Sequence, residues 1–181
     1  MDARIIKTKE KIKEALLSIL HTKNISDISI TELCKKAKIN RNTFYAHFAT
    51  PEALLDEIAN DYLTAEYDLL NHCSSTKEIA VTACEYIKKN AALNLILLEN
   101  RTLEYFIDRG VNYANESPIY IIDNKDGRFT PDEIRSINTY LVNGAVSIIK
   151  EWLSSGMKES PEVIGERVDY ITSSLIKGIN H

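Results

Sequence analysis

The sequence predicts an all-α protein, and three observations carry that reading. Apolar residues recur at helical spacing through nearly the whole chain of 181 residues, and strict alternation is almost absent. Three of the four prolines follow a hydroxyl residue and precede an acid, in Thr50-Pro51-Glu52, Thr130-Pro131-Asp132 and Ser160-Pro161-Glu162. That triplet starts a helix: the hydroxyl caps, proline needs no N–H partner in the first turn, and the acid meets the positive end of the helix dipole. No proline falls inside a strong helical pattern. About nine helices are expected.

Ile5, Ile12, Ala15, Leu16, Ile19 and Leu20 share one helical face, so the first helix runs to about His21. Asn24 to Asp27 is a polar break. Ser29 with Glu32 three residues later has the form of a capping box, in which two orphan backbone donors are satisfied reciprocally. The short helix that follows turns Leu33 and Ala37 inward. Asn40 is a good N-cap for a further helix starting at Arg41. Beyond it, apolar periodicity marks 51–72, 76–89, roughly 91–115, 131–155 and 161–179. Pro118-Ile119-Tyr120-Ile121-Ile122 is β-like but short, with no evident pairing partner. Asn124-Lys125-Asp126-Gly127 is a turn.

Composition narrows the class. Hydrophobic residues make up 44% of the chain, enough for a packed core. No apolar run approaches the roughly 20 residues that span a bilayer, and the charged start of the chain lacks a signal-peptide core. The expectation is a cytoplasmic protein with no membrane partner. Cys34, Cys73 and Cys84 are scattered, without a Cys-x-x-Cys pair, and read as reduced thiols. Charge is divided unevenly. Residues 1–50 hold ten Lys/Arg against five Asp/Glu, whereas the rest holds twelve against twenty-one. A basic head on an acidic body points to a polyanion partner for the head.

The segment from Ser29 to Phe48 has the layout of a helix-turn-helix, two short helices with a tight break, the second of which enters the major groove of DNA. Leu33, Ile39, Phe44 and Phe48 are spaced to pack the two helices together. Arg41, Asn42 and Thr43 fall in the first turn of the second helix. Arg can donate two hydrogen bonds to guanine, and Asn can bond adenine bidentately. Thr43 offers a hydroxyl or a methyl group.

Residues 8–58 resemble the DNA-binding domain of TetR/AcrR-type transcriptional regulators. Thr8 to Leu20 resembles its first helix, Ile28 to Leu33 its second, Ala37 to Asn40 its turn, Thr43-Phe44-Tyr45-Ala46-His47-Phe48 its third helix, and Thr50 to Leu54 the start of its fourth. The resemblance implies that Tyr45 and His47 bind backbone phosphates, which sets register without reading sequence. Ser29 and Asn40 would cap helices and touch phosphate, and Lys38 would add a phosphate contact. Lys35 and Lys36 add non-specific attraction. Two positions depart from the family's pattern. Lys38 stands where Gly is usual; if the turn there is left-handed, Lys costs roughly 1–2 kcal/mol. Pro51 stands where Lys is usual, which removes one phosphate anchor.

The resemblance further implies a homodimer joined by its last two helices. One carries Ile134, Ile137, Leu141, Ala145, Ile148 and Trp152 on one side, the other Val163, Val168, Ile171, Leu175 and Ile179. The stretch Gly144 to Gly156 with Ser160-Pro161-Glu162 also resembles the branch containing dihydroxyacetone-kinase activators. Family members bind their effector within the body, and Tyr86, Tyr105, Phe106, Tyr140 and Trp152 are the candidate lining residues. The effector is an unknown small molecule or a protein.

Other signals carry little. Asn124 to Glu133 matches half of an EF-hand loop, but Ile122 occupies the position that requires Asp. The four histidines show no metal-ligand spacing, and there is no phosphate loop or nucleophile elbow. No cofactor, metal or catalytic residue is expected, and the chain does not read as an enzyme. The expected organisation is a helix-turn-helix domain over 1–50, with its motif at 29–48, and a helical effector-binding and dimerisation domain over 51–181. The expected function is a dimeric, sequence-specific repressor that binds a palindromic operator under effector control. The alternative is a helical co-activator that answers to a protein partner and has lost or weakened DNA binding.

Overall fold

The computed structural model describes residues 3–99, 103–116, 124 and 126–180, with backbone alone at 98, 99, 103–107 and 109. Among these residues the chain is helical throughout, with nine α-helices, one 3₁₀ turn and no strand. It divides into two compact units.

The first unit holds residues 1–64, together with a short segment beginning at Ile96. Helix α1 (Ala3–Leu20) turns Ile12, Ala15, Leu16, Ile19 and Leu20 inward. A 3₁₀ turn (Ile25–Asp27) fills the polar break before α2 (Ile30–Ala37) and the short α3 (Arg41–Tyr45). Helix α4 (Pro51–Leu70) begins in this unit and ends in the second. Ile12, Leu16, Leu33, Phe44, Leu54 and Leu63 are almost wholly buried and form the core of the head. Around it, charges tie α1 to α4. Lys9 Nζ pairs with Glu57 at 3.0 Å; Lys13 Nζ pairs with Glu57 at 3.2 Å and Asp61 at 2.5 Å. Partial burial works against the Lys13 charge, but the hydrogen bonds to Asp61 and Glu57 prevail and raise its pKa.

The caps account for the helix boundaries. Thr50 Oγ1 accepts the Ala53 N–H at 3.2 Å, with Pro51 in the first turn of α4. Thr130 and Glu133 form the complete reciprocal capping box at the start of α8 (Pro131–Ser154). At Ser29 only half of the expected box forms. Ser29 Oγ accepts the Glu32 N–H at 3.2 Å, but the Glu32 carboxylate takes Lys23 Nζ at 2.7 Å. The long-range ion pair replaces the local back-bond.

The second unit contains the end of α4, α5 (Thr76–Lys89), α6 (Ala91–Glu99) up to Leu95, α7 (Leu103–Glu116), α8 and α9 (Pro161–Asn180). Of the apolar stretch expected over roughly 91–115, α6 and α7 cover 91–99 and 103–116, and residues 100–102 lie outside the described residues. Helices α5 and α9 pack extensively against each other. Gly165 makes it possible: a Cβ there would sit 2.7 Å from the Cα of Val81. Cys84, Trp152 and Ile164 form a buried cluster flanked by Ile87, Ile148, Ile149 and Met157.

Helix α8 closes with a paired hydrogen-bond pattern. The Met157 N–H donates to Trp152 O at 2.9 Å and the Gly156 N–H to Leu153 O at 3.2 Å, with Gly156 at φ 87°. Helix α2 closes the same way. Ile39 N–H donates to Cys34 O at 3.0 Å and Lys38 N–H to Lys35 O at 3.3 Å, but the left-handed residue is Lys38, at φ 55° and ψ 48°. The turn therefore has the left-handed backbone that the sequence left conditional.

Candidate nucleic-acid interface

The break between α2 and α3 takes only three residues, Lys38 to Asn40. Asn40 caps the second helix twice over. Its Oδ1 accepts the Thr43 N–H at 2.7 Å and the Thr43 hydroxyl at 3.0 Å. This narrows what Thr43 can offer a partner: the hydroxyl proton is taken, leaving the lone pairs and the methyl group. Helix α3 is shorter than the motif, for Ala46 and His47 form a turn in which the His47 and Phe48 N–H groups both donate to Phe44 O at 2.9 Å.

Phe44 is the pivot. It is fully buried, with Phe48 at 5.9 Å and Tyr45 edge-on at 5.8 Å between ring centroids. Burying Phe44 turns Arg41, Asn42 and Tyr45 outward, and Tyr45 is 49% exposed. Arg41 lies along Tyr45, its Nη2 donating to the Tyr45 hydroxyl at 3.4 Å and its guanidinium carbon 6.0 Å from the ring centroid. That hydrogen bond raises the Arg41 pKa further, so its charge is fixed. Beneath it Cys34 is buried, and burial pushes its thiol pKa up, which keeps it uncharged in the packed layer.

The other residues singled out from the sequence flank this surface. Ser29 and Asn40 stand exposed at the starts of α2 and α3, and Lys38 is exposed in the turn between them. His47 is half-buried beside Phe48, with ring centroids 6.3 Å apart. Chemically, this corner presents two cationic or amide groups suited to base edges and several hydroxyl, amide and ammonium donors suited to phosphate.

Of the residues expected to line an effector site, three have described side chains, and they differ in exposure. Trp152 is buried in the Cys84–Ile164 cluster, and its indole N–H donates to Glu159 O at 3.0 Å. Tyr86 is half-buried on α5. Tyr140 is 69% exposed on α8, away from the core of the isolated chain. Tyr105 and Phe106 lie outside the residues whose side chains are described. One residue was missed. Glu66, on α4, is only 8% exposed, and burial pushes its carboxyl up to about 8. The signal was available: Glu66 lies four residues after Tyr62 and four before Leu70, on the helix face that both of them bury. Among the described residues no group of three His, Cys, Asp or Glu could hold a metal ion, and no helix is long and apolar enough to cross a membrane.

Comparison with known proteins extends this picture. Residues 74–174 match a TetR C-terminal family model described as a transcriptional regulator C-terminal region. The uncharacterized HTH-type transcriptional regulator YxbF of Bacillus subtilis (strain 168) is 31% identical over 110 residues, covering 60% of this chain and 28% of YxbF. The matching part of this chain thus spans under a third of that relative. A TetR transcriptional regulator from Streptococcus agalactiae 2603V has the same fold, with a TM-score of 0.72 at 21% identity over 94% of this chain and 96% of the other. The dihydroxyacetone kinase operon activator DhaS gives 0.64 at 20% identity, over 95% of this chain and 97% of DhaS.

Proposed function

The chain belongs to the TetR family of transcriptional regulators, and on that premise we propose that it acts as a homodimeric repressor that reads a palindromic operator and is controlled by an effector bound in its body. The observation that carries the DNA reading is the corner at α3. Arg41 and Asn42 are exposed in the first turn, Arg41 donates to the Tyr45 hydroxyl, and Ser29, Lys38 and Asn40 are exposed at the ends of the same two short helices. In this reading Arg41 and Asn42 contact bases, Thr43 offers its methyl group, and the others hold phosphate. In this reading residues 1–50 carry the DNA-binding elements, the first part of α4 completes their core, and the remainder up to 181 serves effector binding and dimerisation.

Dimerisation through α8 and α9 is supported by what those helices leave uncovered. Val163, Tyr170, Ile171 and Leu175 on α9 and Tyr140 on α8 are exposed, Tyr170 by 73%. Leu141, Trp152 and Val168, which share the apolar pattern, are buried within the chain and belong to its own core. Two heads related by a two-fold axis would meet half-sites about 34 Å apart or somewhat more. The effector acts by favouring one spacing of the heads, to the extent of its differential affinity for the two states. A second reading, activation, is favoured by the likeness to DhaS, whose name makes it an operon activator.

The test is selection of operators from a random DNA pool by the pure protein, followed by titration of variants on the selected site. A palindrome is expected. Arg41→Ala should lower discrimination roughly five- to hundred-fold per half-site, while Tyr45→Phe should weaken all sequences alike. Unchanged affinity in both variants would assign the recognition surface elsewhere. A chromosomal deletion separates repression from activation by the direction in which the target transcript moves.

A further inference from the structure

Helix α3 carries two methyl groups beside its outward amide. Asn42 and Ala46 are exposed and Thr43 is half-buried. The Ala46 N–H donates to Asn42 O at 3.0 Å, and Ala46 keeps a right-handed helical backbone at φ −68° and ψ −15°. Thr43 and Ala46 are therefore neighbours three residues apart on the helix surface, with Cβ atoms about 5–6 Å apart. The residue between them that enters the core is Phe44.

A threonine facing the major groove can offer a donor, an acceptor or a methyl group. Here the choice is narrowed. Asn40 Oδ1 accepts both the Thr43 N–H at 2.7 Å and the Thr43 hydroxyl at 3.0 Å. The hydroxyl proton is committed within the protein, so Thr43 cannot donate to guanine O6 or N7, or to thymine O4, without breaking the cap. Two heavy atoms branch from its Cβ, and holding Oγ1 also holds Cγ2 in one staggered position. A methyl group fixed before binding loses no rotamer freedom when a partner covers it. We propose that Thr43 is a specificity-determining residue that reads the 5-methyl group of a thymine in each half-site, with the Ala46 methyl group completing the apolar strip. That thymine group stands in the major groove, and its base pair presents the adenine edge that suits Asn42. The preferred half-site therefore has a thymine at or beside the base pair that Asn42 contacts. This rests on the reading of α3 as the recognition helix and adds the chemistry of one base to it.

The Thr43 oxygen keeps lone pairs, which could take an amino hydrogen of adenine or cytosine. The neighbouring side chain weighs against that use. Ala46 offers no polar group, so an amino group seated on the strip would give up water on the Ala46 side and gain nothing polar in return. A thymine methyl group gains on both sides, because each contact removes apolar surface from water.

Deoxyuridine in place of thymidine removes the 5-methyl group and keeps the base pairing, and it provides the test. The operator selected by the pure protein would be remade with deoxyuridine at each thymine in turn. Each version would be titrated with the wild type, Thr43→Ser and Thr43→Val. Serine keeps the hydroxyl and loses the methyl group; valine keeps the shape and loses the hydroxyl. The wild type should lose about fourfold in affinity per half-site at one thymine position, the worth of one buried methyl group. Thr43→Ser should bind the two operators within about twofold of each other, and Thr43→Val should keep the wild-type preference. A selected half-site without thymine, indifference of the wild type at every thymine, or an undiminished preference in Thr43→Ser would each overturn the proposal. So would a preference lost in Thr43→Val, which would assign the contact to the oxygen. The comparison of operators needs no variant, so it stands whatever the substitutions do to folding. Arg41→Ala separates this proposal from the reading beneath it. Lost discrimination in Arg41→Ala with no effect of deoxyuridine keeps α3 as the recognition helix and removes its methyl reader. No effect of either moves recognition to another surface and overturns both.

Discussion

Lys38→Gly should make the head more stable and its DNA binding more tolerant of salt. Lys38 sits at φ 55° and ψ 48°, where a Cβ crowds the following carbonyl at a cost of roughly 1–2 kcal/mol. Glycine removes that crowding but gains freedom in the unfolded chain, which returns about 0.5–1 kcal/mol. The net expectation is a stabilisation of about 1 kcal/mol. The equivalent position at the end of α8 provides the internal comparison: Gly156, at φ 87°, is held in the same motif and should lose a similar amount on Gly156→Ala. Trp152 lies in the second unit, so its fluorescence is a poor reporter of the head. Amide hydrogen exchange is the better assay, read at the Ile39 N–H, which donates to Cys34 O across the turn. A gain of 1 kcal/mol slows exchange by opening about fivefold. In parallel, loss of one phosphate-neutralising ammonium per head should reduce the salt slope of operator binding by about 0.9 per head. Exchange at Ile39 that is unchanged or faster in Lys38→Gly would refute the strain argument. An unchanged salt slope would refute the phosphate contact alone.

Three further outcomes follow from the packing. Glu66 holds its proton in the folded state up to about 8 against an ordinary 4.5, so the unfolded chain binds fewer protons between those values and wild-type stability falls as pH rises through them; Glu66→Gln should match wild type near pH 4.5 and exceed it by up to about 5 kcal/mol by pH 8, and a constant difference across that window in urea melts would be evidence against it. Gly165→Ala would place a methyl 2.7 Å from the Val81 backbone, and should cost about 1–3 kcal/mol by forcing α5 and α9 apart, visible as a lowered melting temperature. Ile171→Asp, on an exposed apolar position of α9, should leave the monomer folded and abolish the dimer in sedimentation, whereas a monomeric wild type at micromolar concentration would remove the dimer reading.

Much of the architecture was legible because helix ends are written locally. Thr50, Thr130 and Ser160 before proline, and Asn40 before Arg41, each mark a boundary that the structure places within a residue. The helix-turn-helix was legible for the same reason, since its apolar members and its caps all fall within twenty residues. What was not legible depended on distant partners. Glu32 abandoned the local capping box for Lys23 across the 3₁₀ turn. In α8 apolar residues lie on more than one face, so spacing alone did not say that Leu141 and Trp152 are buried while Tyr140 stands out. Glu66 sits in register with Tyr62 and Leu70 on the buried face of α4, but spacing does not say whether an acid in an apolar stripe is buried or turned out.

The chemistry of α3 bears on why the proposed reading calls for two heads. Of its five residues, Phe44 is wholly buried in the core and the Thr43 hydroxyl already donates to Asn40 Oδ1. On the proposed reading, that leaves Arg41 and Asn42 to make bidentate base contacts and Tyr45 to hold phosphate. A good bidentate pair discriminates by about 1–3 kcal/mol, so one head commands only the lower part of the roughly 4–10 kcal/mol that separates specific from non-specific binding. A second, symmetry-related head doubles the base contacts without any new residue, and the palindrome is the DNA's counterpart of that symmetry. If the exposed apolar positions of α8 and α9 join two copies as proposed, they matter to recognition, because the second copy would supply the discrimination that a five-residue helix lacks.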